Sequence, residues 1–555
     1  MSKTLDGKTF RLMVIEGAFE IEDKKQETNE LNVFPVPDGD TGINMSLTMN
    51  AAKAELSKSS DKAGIGEVSD AAAAALLRGA RGNSGVILSL LFRGFAKRMR
   101  GLSSAGPVEF AEALALGVET AYKAVMKPAE GTILTVSRVA AAAAVDAAGA
   151  GADISSIFDV VIDTAKEALE KTVDQNPVLK KAGVVDAGAF GYIAILEGMR
   201  AAFEGRAIKR EEKAVGDAEV STAFGAFSGE DITFTYCTEF IVDKDKPGSD
   251  TSAFRAEIEA LGDSAVVVDD DTIVKVHVHT NYPDAALKLG LKIGALSSIK
   301  IDNMRIQHEE KLFASGGEQD ASNDPEEGKS APAAPEKKYG FVAVAAGAGL
   351  ASLFSELGAD IIVEGGQTMN PSTEDILNAV MKVPAKTVFV LPNNKNIIMA
   401  AQQAGALATD REVVVLQTKT IPQGVSALLV FDESEDVKGN TSAMQQAAQN
   451  VKTGQITYAA RTSDFDGEKI KEGDYIAFSD GKMLSSGKDM GAIVKKLASE
   501  IAGKDSAFIT IFFGEGVDPD EAEGLRAVFA KHAPSAEINI IDGGQPVYYY
   551  IVSVE

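Results

Sequence analysis

The chain has 555 residues, 45% of them hydrophobic, and a formal net charge of −26. This length exceeds what one hydrophobic core usually supports, so it predicts several domains. The acidic balance argues against binding nucleic acid or an anionic membrane, which both require clustered Lys and Arg. The single cysteine, Cys237, excludes a disulfide within one chain. With no run of eighteen apolar residues, these features predict a cytoplasmic protein without stable membrane insertion.

The first third of the chain has a helical pattern almost throughout. From about Leu5 to Gly205, long stretches rich in Ala and Leu recur without the alternation that strands show. Short clusters of Gly, Pro and Asp separate these stretches. We therefore predict an all-α domain over residues 1–207, with its functional motifs in the loops between helices.

Short β-rich runs follow, and then a polar segment. Residues 225–313 alternate runs such as AVVVDDDTIVKVHVHT with one or two helical patterns, which predicts a small α+β middle domain. Residues 314–338 combine Pro, Gly, Ser and charge with almost no apolar side chain, so we predict a disordered linker. Such a linker would let the domains on either side move relative to each other.

In the last part of the chain, residues 339–555, the stretch from Phe341 to about Phe431 alternates apolar strands with helical patterns, which is typical of a parallel α/β sheet. Two segments share one order: a strand, a glycine turn, a helix, a second strand and the triplet Gly-Gly-Gln. We interpret the triplets at 365–367 and 543–545 as matching positions in two related halves. The segment EGGQTMNPSTED, residues 364–375, follows a strand, where α/β sheets commonly bind ligands.

Asp38 and Asp40 lie two residues apart in FPVPDGDTG, residues 34–42. Two carboxylates held close together repel each other unless a cation lies between them. Magnesium takes one or two carboxylates together with substrate phosphates, so a short acidic turn is sufficient to bind it. A solvated Asp-Gly turn is the alternative interpretation.

A glycine-rich segment, GARGNSGV at residues 79–86, interrupts one helical pattern and starts the next. The backbone N–H groups at such a helix start, with the side chains of Asn83 and Ser84, are suited to binding phosphate oxygens. The alternative is a helix C-cap followed by a new N-cap.

A second set of candidate ligands lies in the middle domain. His277 and His279 are two residues apart, so a strand would direct both to one face. Cys237 lies on an earlier predicted strand, and one Cys with two His is a zinc-type ligand set. The alternatives are inert histidines on a half-exposed strand and nucleophilic Cys-His catalysis.

Together these motifs resemble those of the catalytic component of bacterial fatty acid kinase, whose first domain belongs to the dihydroxyacetone kinase L-type nucleotide-binding family. The resemblance covers nearly the whole chain. Its motifs are found in the family's order at residues 31–45, 80–89, 130–136, 180–192, 275–281, 300–308 and 364–377.

The resemblance implies that the first domain is a helical barrel in which Asp38 and Asp40 are catalytic and hold a pair of Mg²⁺ ions against ATP. It implies phosphoryl transfer from ATP to the carboxylate of a fatty acid carried by a separate DegV-type fatty-acid-binding protein. The product would be an acyl phosphate for phospholipid synthesis. The residues that the resemblance places around the nucleotide are Asn32, Thr41, Gly42, Asn44, Gly82, Asn83, Ser84, Gly85, Thr132 and Asp186.

For the other domains, the resemblance implies a middle domain that mediates homodimerisation and a DegV-like last domain. It matches Cys237, His277 and His279 to positions that bind zinc or assist transfer, with both histidines as catalytic candidates. The chain departs from the family's pattern at Ile43, where a small Thr is common, and in the segments HTNYPD and DAGAFGY. The paired aspartates are kept.

Two other functions fit part of the sequence. A kinase for a small polyol such as dihydroxyacetone would use the same ATP domain but leave the middle and last domains unexplained. A non-catalytic lipid-binding scaffold would use only the α/β half and consume no ATP.

Overall fold

The structure is a computed structural model that describes residues 4–32, 39–125, 128–206, 236–244, 246, 251–269, 273–303, 336–366, 369–465 and 468–555. It divides into two compact units. One unit contains residues 1–208 and 329–555, and the other contains residues 209–328. In the part of the chain that is described, no helix has the length and apolar character needed to cross a membrane.

The helical domain is a closed ring of helices. Neighbouring helices pack side by side, and the last packs back against the first. Phe10, Phe95, Phe110 and Phe158 contact one another inside the ring, with centroids 5.0 to 6.0 Å apart, beside a small cavity of ≈ 30 Å³. The helices are α1 (Gly7–Asp23), α2 (Lys25–Glu30), α3 (Thr41–Leu56), α4 (Ile65–Gly79), α5 (Gly82–Met99), α6 (Pro107–Ala124), α7 (Ile133–Gly149), α8 (Ile154–Gln175), α9 (Pro177–Ala182) and α10 (Ala187–Phe203), with a two-residue antiparallel pair, β1 (Leu5–Asp6) and β2 (Ser104–Ala105). Apart from that pair, the predicted all-α barrel is confirmed.

Aspartates in the sequence set the start of several helices. Asp6 accepts a hydrogen bond from the amide of Thr9 at 2.8 Å, which caps α1. Asp153 caps α8 in the same way through Ser156 at 2.9 Å. Such caps satisfy amides that have no partner within the helix and typically stabilise it by about 1 kcal/mol.

The α/β part begins with a four-stranded sheet. Its elements are β7 (Lys337–Ala345), α13 (Ala348–Glu356), β8 (Ile361–Glu364), α14 (Thr373–Lys382), β9 (Ala385–Leu391), α15 (Ile398–Leu407), β10 (Glu412–Val415), α16 (Ile421–Leu429) and α17 (Val437–Asn450). The strand order is β10-β9-β7-β8, and every neighbouring pair is parallel. This confirms the predicted parallel α/β pattern for this half.

The end of the predicted linker is wrong by two residues. Lys337 and Lys338 belong to β7, in which Lys337 pairs with Ala385 of β9. The Lys337 ammonium also contacts Asp360. The charge of these two lysines is typical of a linker. A residue at the end of a strand can nevertheless expose a charged side chain while its backbone is paired. Residues 314–335 of the predicted linker lie outside the described residues.

The second half of the α/β part forms another sheet, which is mixed. Its elements are β11 (Lys452–Tyr458), β12 (Ser463–Phe465), β13 (Glu468–Ile470), β14 (Tyr475–Ser479), β15 (Lys482–Gly487), α18 (Met490–Ile501), β16 (Phe508–Phe513), α19 (Pro519–Ala530), β17 (Glu537–Asp542) and β18 (Tyr550–Val554). The order is β15-β14-β11-β18-β16-β17, with β12 and β13 as a separate antiparallel pair. Only β16 and β17 are parallel. The predicted repeat of the strand–helix–strand unit is therefore confirmed at β16, α19 and β17, while the other strand pairs of this sheet are antiparallel.

The glycine turn after β7 lies against the second Gly-Gly-Gln triplet, residues 543–545. The amide of Leu350 in α13 donates to the carbonyl of Gly543 at 3.0 Å. A Cβ on Gly347, whose φ is 108°, would lie 2.7 Å from the amide nitrogen of Gln545. The glycine turn of one half thus packs against the triplet of the other.

The helical domain and the first α/β sheet share one apolar core. Buried Ile376 and Val380 of α14 and Ala401 and Ala404 of α15 belong to the same cluster as residues of the helical ring. Helices α14 and α15 contact α4 and α5, respectively. Burial of apolar surface along this contact holds the two domains in one unit.

The middle unit is an antiparallel sheet with two helices, as predicted for an α+β domain. Its elements are β3 (Tyr236–Lys244), α11 (Ser252–Glu259), β4 (Gly262–Asp269), β5 (Ile273–Thr280), α12 (Pro283–Gly290) and β6 (Gly294–Asn303), in strand order β4-β5-β3-β6. Phe240, Val242, Val274, Val276 and Val278 are buried on one face of the sheet.

Candidate nucleotide site

Three helices of the ring begin beside one another. A Cβ on Gly82, the first residue of α5, would lie 2.6 Å from Nδ2 of Asn44 near the start of α3. A Cβ on Gly188, in the first turn of α10, would lie 3.4 Å from Oγ of Ser84 in α5. The N-termini of α3, α5 and α10 therefore adjoin, and Asn44 and Ser84 lie between them.

Asp186 brings the start of α7 to the same place. Its Oδ2 atom accepts hydrogen bonds from the amides of Ala189 at 2.8 Å and Ile133 at 3.0 Å, so one carboxyl group caps α10 and α7 together. Burial raises the pKa of Asp186 to about 6, against the effect of these two amides. Thr132 precedes α7, and its hydroxyl donates to the carbonyl of Ala129 at 2.8 Å. Asp186 therefore joins two helix starts.

The raised pKa of Asp186 predicts a pH effect on stability. The folded protein keeps this proton to about pH 6, while the unfolded chain loses it near 3.8, so stability falls as pH rises between these values. The Asp186→Asn variant removes that loss, worth about 3 kcal/mol for a shift of this size. We expect the melting temperature of the variant minus that of wild type, measured by circular dichroism without nucleotide, to increase between pH 4.5 and pH 7. Parallel pH profiles for the two proteins would contradict this.

Gly82 allows the start of α5 to turn sharply and pack against Asn44. Its φ of 58° lies in the left-handed region, which residues with side chains rarely adopt. Any side chain there would also collide with Asn44. Gly85 is equally confined, because a Cβ there would meet the hydroxyl of Thr48. Because helix N-termini have unpaired amides and a partial positive charge, these adjoining turns are suited to binding an anion such as phosphate.

Asp40 lies at the edge of this group of helix starts. It directly precedes α3, is 9% exposed, and its Oδ2 atom accepts a hydrogen bond from Nδ2 of Asn370 at 2.6 Å. Asp38, the other predicted magnesium ligand, lies outside the described residues. A nearly buried carboxylate beside positively polarised helix ends is suited to binding a metal ion together with a phosphate.

Other predicted residues around Asp40 have partners inside the protein. The amide of Gly42 donates to Oδ1 of Asn29 at 2.8 Å, so it is not directed at a ligand in this structure. Thr41 is the first residue of α3 and is partly exposed. The carbonyl of Asn32 accepts a hydrogen bond from Nη2 of Arg461 in the second half of the α/β part at 2.8 Å.

The loop after β8 lies directly on this site. Nη1 of Arg81 donates to the carbonyl of Asn370 at 2.8 Å, and Nη2 lies 3.4 Å from Oδ2 of Asp375. The amide of Thr373 donates to the carbonyl of Ala80 at 3.1 Å. The EGGQTMNPSTED segment, predicted as a ligand-binding loop, thus contacts the glycine-rich turn of the helical domain.

The same contact continues at Asn83. Its Nδ2 atom lies 3.3 Å from Oδ1 of Asn396, in the loop between β9 and α15. Its buried Oδ1 atom has no hydrogen-bond partner among the described residues. A buried acceptor of this kind is costly unless a ligand or solvent supplies a donor or cation.

Sequence reasoning did not select Arg81 or Asn370. Arg81 lies inside the quoted GARGNSGV segment, and Asn370 lies inside EGGQTMNPSTED. Arg81 and Asn370 are separated by 289 residues in sequence, so no local pattern indicates that they are in contact.

The site residues fit a magnesium–nucleotide group. Asp40 is a hard carboxylate of the kind that Mg²⁺ binds, Gly82 and Gly85 let the start of α5 pack directly against Asn44 and Thr48, and Asn83 has an unpaired buried oxygen. Phosphate oxygens match the helix N-termini, and Mg²⁺ matches the carboxylate.

In the middle domain, the backbone register brings the predicted zinc positions together. Cys237 of β3 lies opposite His279 of β5, and Glu239 lies opposite His277. Residues two apart on a strand share a face, so all of these positions are on one face of the sheet. The side chains of the three predicted ligands lie outside what the structure describes. Among the side chains it does describe, no three His, Cys, Asp or Glu residues cluster as a metal site.

Comparisons with known proteins match three consecutive parts of the chain. Residues 35–201 match the DAK2 domain, residues 233–311 match the middle domain of the FakA-like family of fatty acid kinase, and residues 340–555 match the C-terminal domain of that family. Protein YloV of Bacillus subtilis (strain 168) is 42% identical, over 100% of both chains. An uncharacterized protein of Staphylococcus aureus (strain USA300) is 39% identical, also over 100% of both chains.

Solved structures resemble separate parts of the chain. The dihydroxyacetone kinase of C. freundii, solved with AMP-PNP and Mg²⁺, is 18% identical, with a TM-score of 0.28 over 34% of this chain and 33% of its own. The Thermotoga maritima protein TM841, described as having a fatty acid binding function, is 12% identical, with a TM-score of 0.31 over 39% of this chain and 99% of its own. At these TM-scores, neither likeness carries an argument about activity.

Proposed function

Because the chain belongs to the FakA-like family of fatty acid kinase, we propose that it transfers the γ-phosphoryl group of ATP to the carboxylate of a fatty acid. The DAK2 match supports a kinase. The products would be ADP and an acyl phosphate that phospholipid synthesis consumes. A separate DegV-type fatty-acid-binding protein would present the fatty acid.

The adjoining helix starts beside Asp40 carry this proposal. The amides at residues 82–84 and the polarised ends of α3, α5, α7 and α10 would bind the triphosphate of ATP. Asp186 would hold α7 and α10 in position for this, through its bonds to both helices. Asp38 and Asp40 would hold magnesium, with two ions expected from the family. When bound, magnesium would neutralise charge on the phosphates.

The acceptor makes few chemical demands on the protein. A fatty acid carboxylate is already ionised at neutral pH, so no general base is needed to activate it. Phosphoryl transfer depends mainly on positioning and charge neutralisation. The N-terminal amides and the carboxylate at this site are groups that supply both.

The decisive assay is ATP- and Mg²⁺-dependent formation of acyl phosphate by the full chain. Oleate would be supplied on a DegV-type carrier, and a parallel reaction would omit the carrier. We expect product only with carrier. If nucleotide binds but no acyl phosphate forms in either reaction, the fatty acid acceptor is wrong.

A small-polyol kinase is the second candidate, favoured by the DAK2 match alone. Phosphorylation of free dihydroxyacetone without a carrier would support it and contradict our choice. A non-catalytic lipid-binding scaffold predicts fatty acid binding by the purified chain without any ATP consumption, and the same assay separates that outcome.

We propose that Cys237, His277 and His279 bind zinc in the middle domain. The cross-strand register of Cys237 and His279 supports this, and the three residue types are common zinc ligands. Elemental analysis of the purified full chain should find about one zinc per chain, and Cys237→Ser should lose most of it. Equal zinc content in wild type and Cys237→Ser would remove the cysteine from the ligand set.

A homodimer formed through the middle domain belongs to the same proposal. Analytical ultracentrifugation of the full chain at micromolar concentration should give twice the mass of 58.1 kDa. A monomer under those conditions would contradict it.

A further inference from the structure

Asn370 touches both functional loops of the helical domain. Its side-chain Nδ2 atom donates to Oδ2 of Asp40 at 2.6 Å, and its carbonyl accepts from Nη1 of Arg81 at 2.8 Å. Asn370 is 3% exposed. It comes from the α/β part of the chain, 330 residues away from Asp40 in sequence.

The sequence around Asn370 keeps it in place. Pro371 follows it, and Ser372 caps α14 by accepting from the amide of Asp375 at 3.0 Å, while the Asp375 carboxylate accepts from the amide of Ser372 at 2.7 Å. This reciprocal capping box fixes the entry into α14. The amide of Thr373 is also bonded to the helical domain.

The contact is part of a large buried interface. Helix α14 continues from this loop into the apolar core shared with the helical ring, where Ile376 and Val380 are fully buried. The packed helix α14 therefore positions Asn370 beside Asp40, and the hydrogen bond between them is shielded from solvent. In such surroundings a hydrogen bond to a charged group is stronger than at the surface.

The hydrogen bond from Asn370 to Asp40 is of the kind that holds a metal-binding carboxylate in position. A carboxylate that binds a metal ion is commonly fixed by a second hydrogen bond, which sets its orientation. The amide of Asn370 is a neutral donor, so it orients Asp40 and adds no charge that would repel Mg²⁺. Loss of such outer partners typically lowers metal affinity or activity about 10- to 100-fold.

We infer that Asn370 is a positioning residue for Asp40, so that the C-terminal α/β domain completes the magnesium–nucleotide site of the helical domain. This inference rests on the proposed function. It adds that the nucleotide site is built from both ends of the chain. A change in the docking of the α/β domain would then change the affinity for Mg²⁺ and nucleotide.

The test measures Mg²⁺-dependent binding of a fluorescent, non-hydrolysable ATP analogue to the full chain, without any acceptor. Asn370→Ala should raise the half-saturating Mg²⁺ concentration about tenfold. Met369→Ala is the matched control, because Met369 is the preceding residue and is 53% exposed. It should keep the wild-type value. Wild-type Mg²⁺ dependence in Asn370→Ala would overturn the inference and leave the proposed function standing.

Absence of Mg²⁺-dependent nucleotide binding in the wild type would overturn both the proposed function and this inference. Should Asn370→Ala fail to fold, Asn370→Asp decides. It keeps the size of the side chain but places a second carboxylate against Asp40, and two such groups repel unless a cation is present. Mg²⁺ alone should therefore raise the melting temperature of Asn370→Asp more than that of wild type. Equal shifts would overturn the inference.

Discussion

Replacing Asp40 with alanine is expected to lower the rate of acyl phosphate formation by about 10³-fold. Asp40 is the described carboxylate of the PDGDTG motif, and it lies where the helix N-termini adjoin. A metal ligand that stabilises charge in the transition state is worth several kcal/mol, and each 1.36 kcal/mol is tenfold in rate. The fold should persist, because the interior of the ring is formed by other, apolar residues.

Two further variants test whether the loss of activity comes from the charge of Asp40. Asp40→Asn keeps the shape of the side chain but loses the charge, so it should lose most of the activity as well. Asp163→Ala changes an exposed aspartate of α8 and should keep the wild-type rate. Circular dichroism should show the same helical content in all three. Near wild-type turnover of Asp40→Ala at saturating Mg²⁺ would exclude a metal role for this carboxylate.

The local parts of the site could be predicted from the sequence because local chemistry determines them. The glycine-rich segment at residues 79–86 ends one helix and starts another at Gly82, as the pattern indicated. α3 begins at Thr41, directly after the acidic turn that contains Asp40. Glycine, aspartate and helical periodicity act over a few residues, so they can be recognised in one sequence.

The long-range parts could not be predicted. Asn370 reaches Asp40 only because α14 and α15 pack on α4 and α5, and no periodicity encodes which surfaces meet. The strand order of the second sheet also depends on long-range pairing, with one local exception. β14 and β15 are joined through Asp480 and Gly481, which have φ values of 46° and 78°. Asp-Gly is a strong signal for a tight antiparallel hairpin, so this turn is the local part of the second sheet that the sequence does indicate.

Replacing Gly82 with alanine should lower the affinity for the ATP analogue at least tenfold and reduce the melting temperature. The left-handed φ of 58° costs a residue with a side chain about 1–2 kcal/mol. The new methyl group would also lie 2.6 Å from Nδ2 of Asn44, so the Asn44 side chain or the start of α5 must shift. Phosphate binding at helix starts depends on amide positions, and it suffers when those positions shift. Fluorescence titration and thermal unfolding of the full chain measure the two effects.

Gly101→Ala separates backbone strain from damage to the site. Gly101 also has a left-handed φ, 80°, but a Cβ there would meet nothing within 4 Å. It follows α5 at the opposite end from Gly82. Both variants should lose a similar amount of stability from strain, whereas only Gly82→Ala should lose nucleotide affinity. If the two variants bind the analogue equally well, the start of α5 does not contact the phosphates, and the anion site must be sought at the other helix starts.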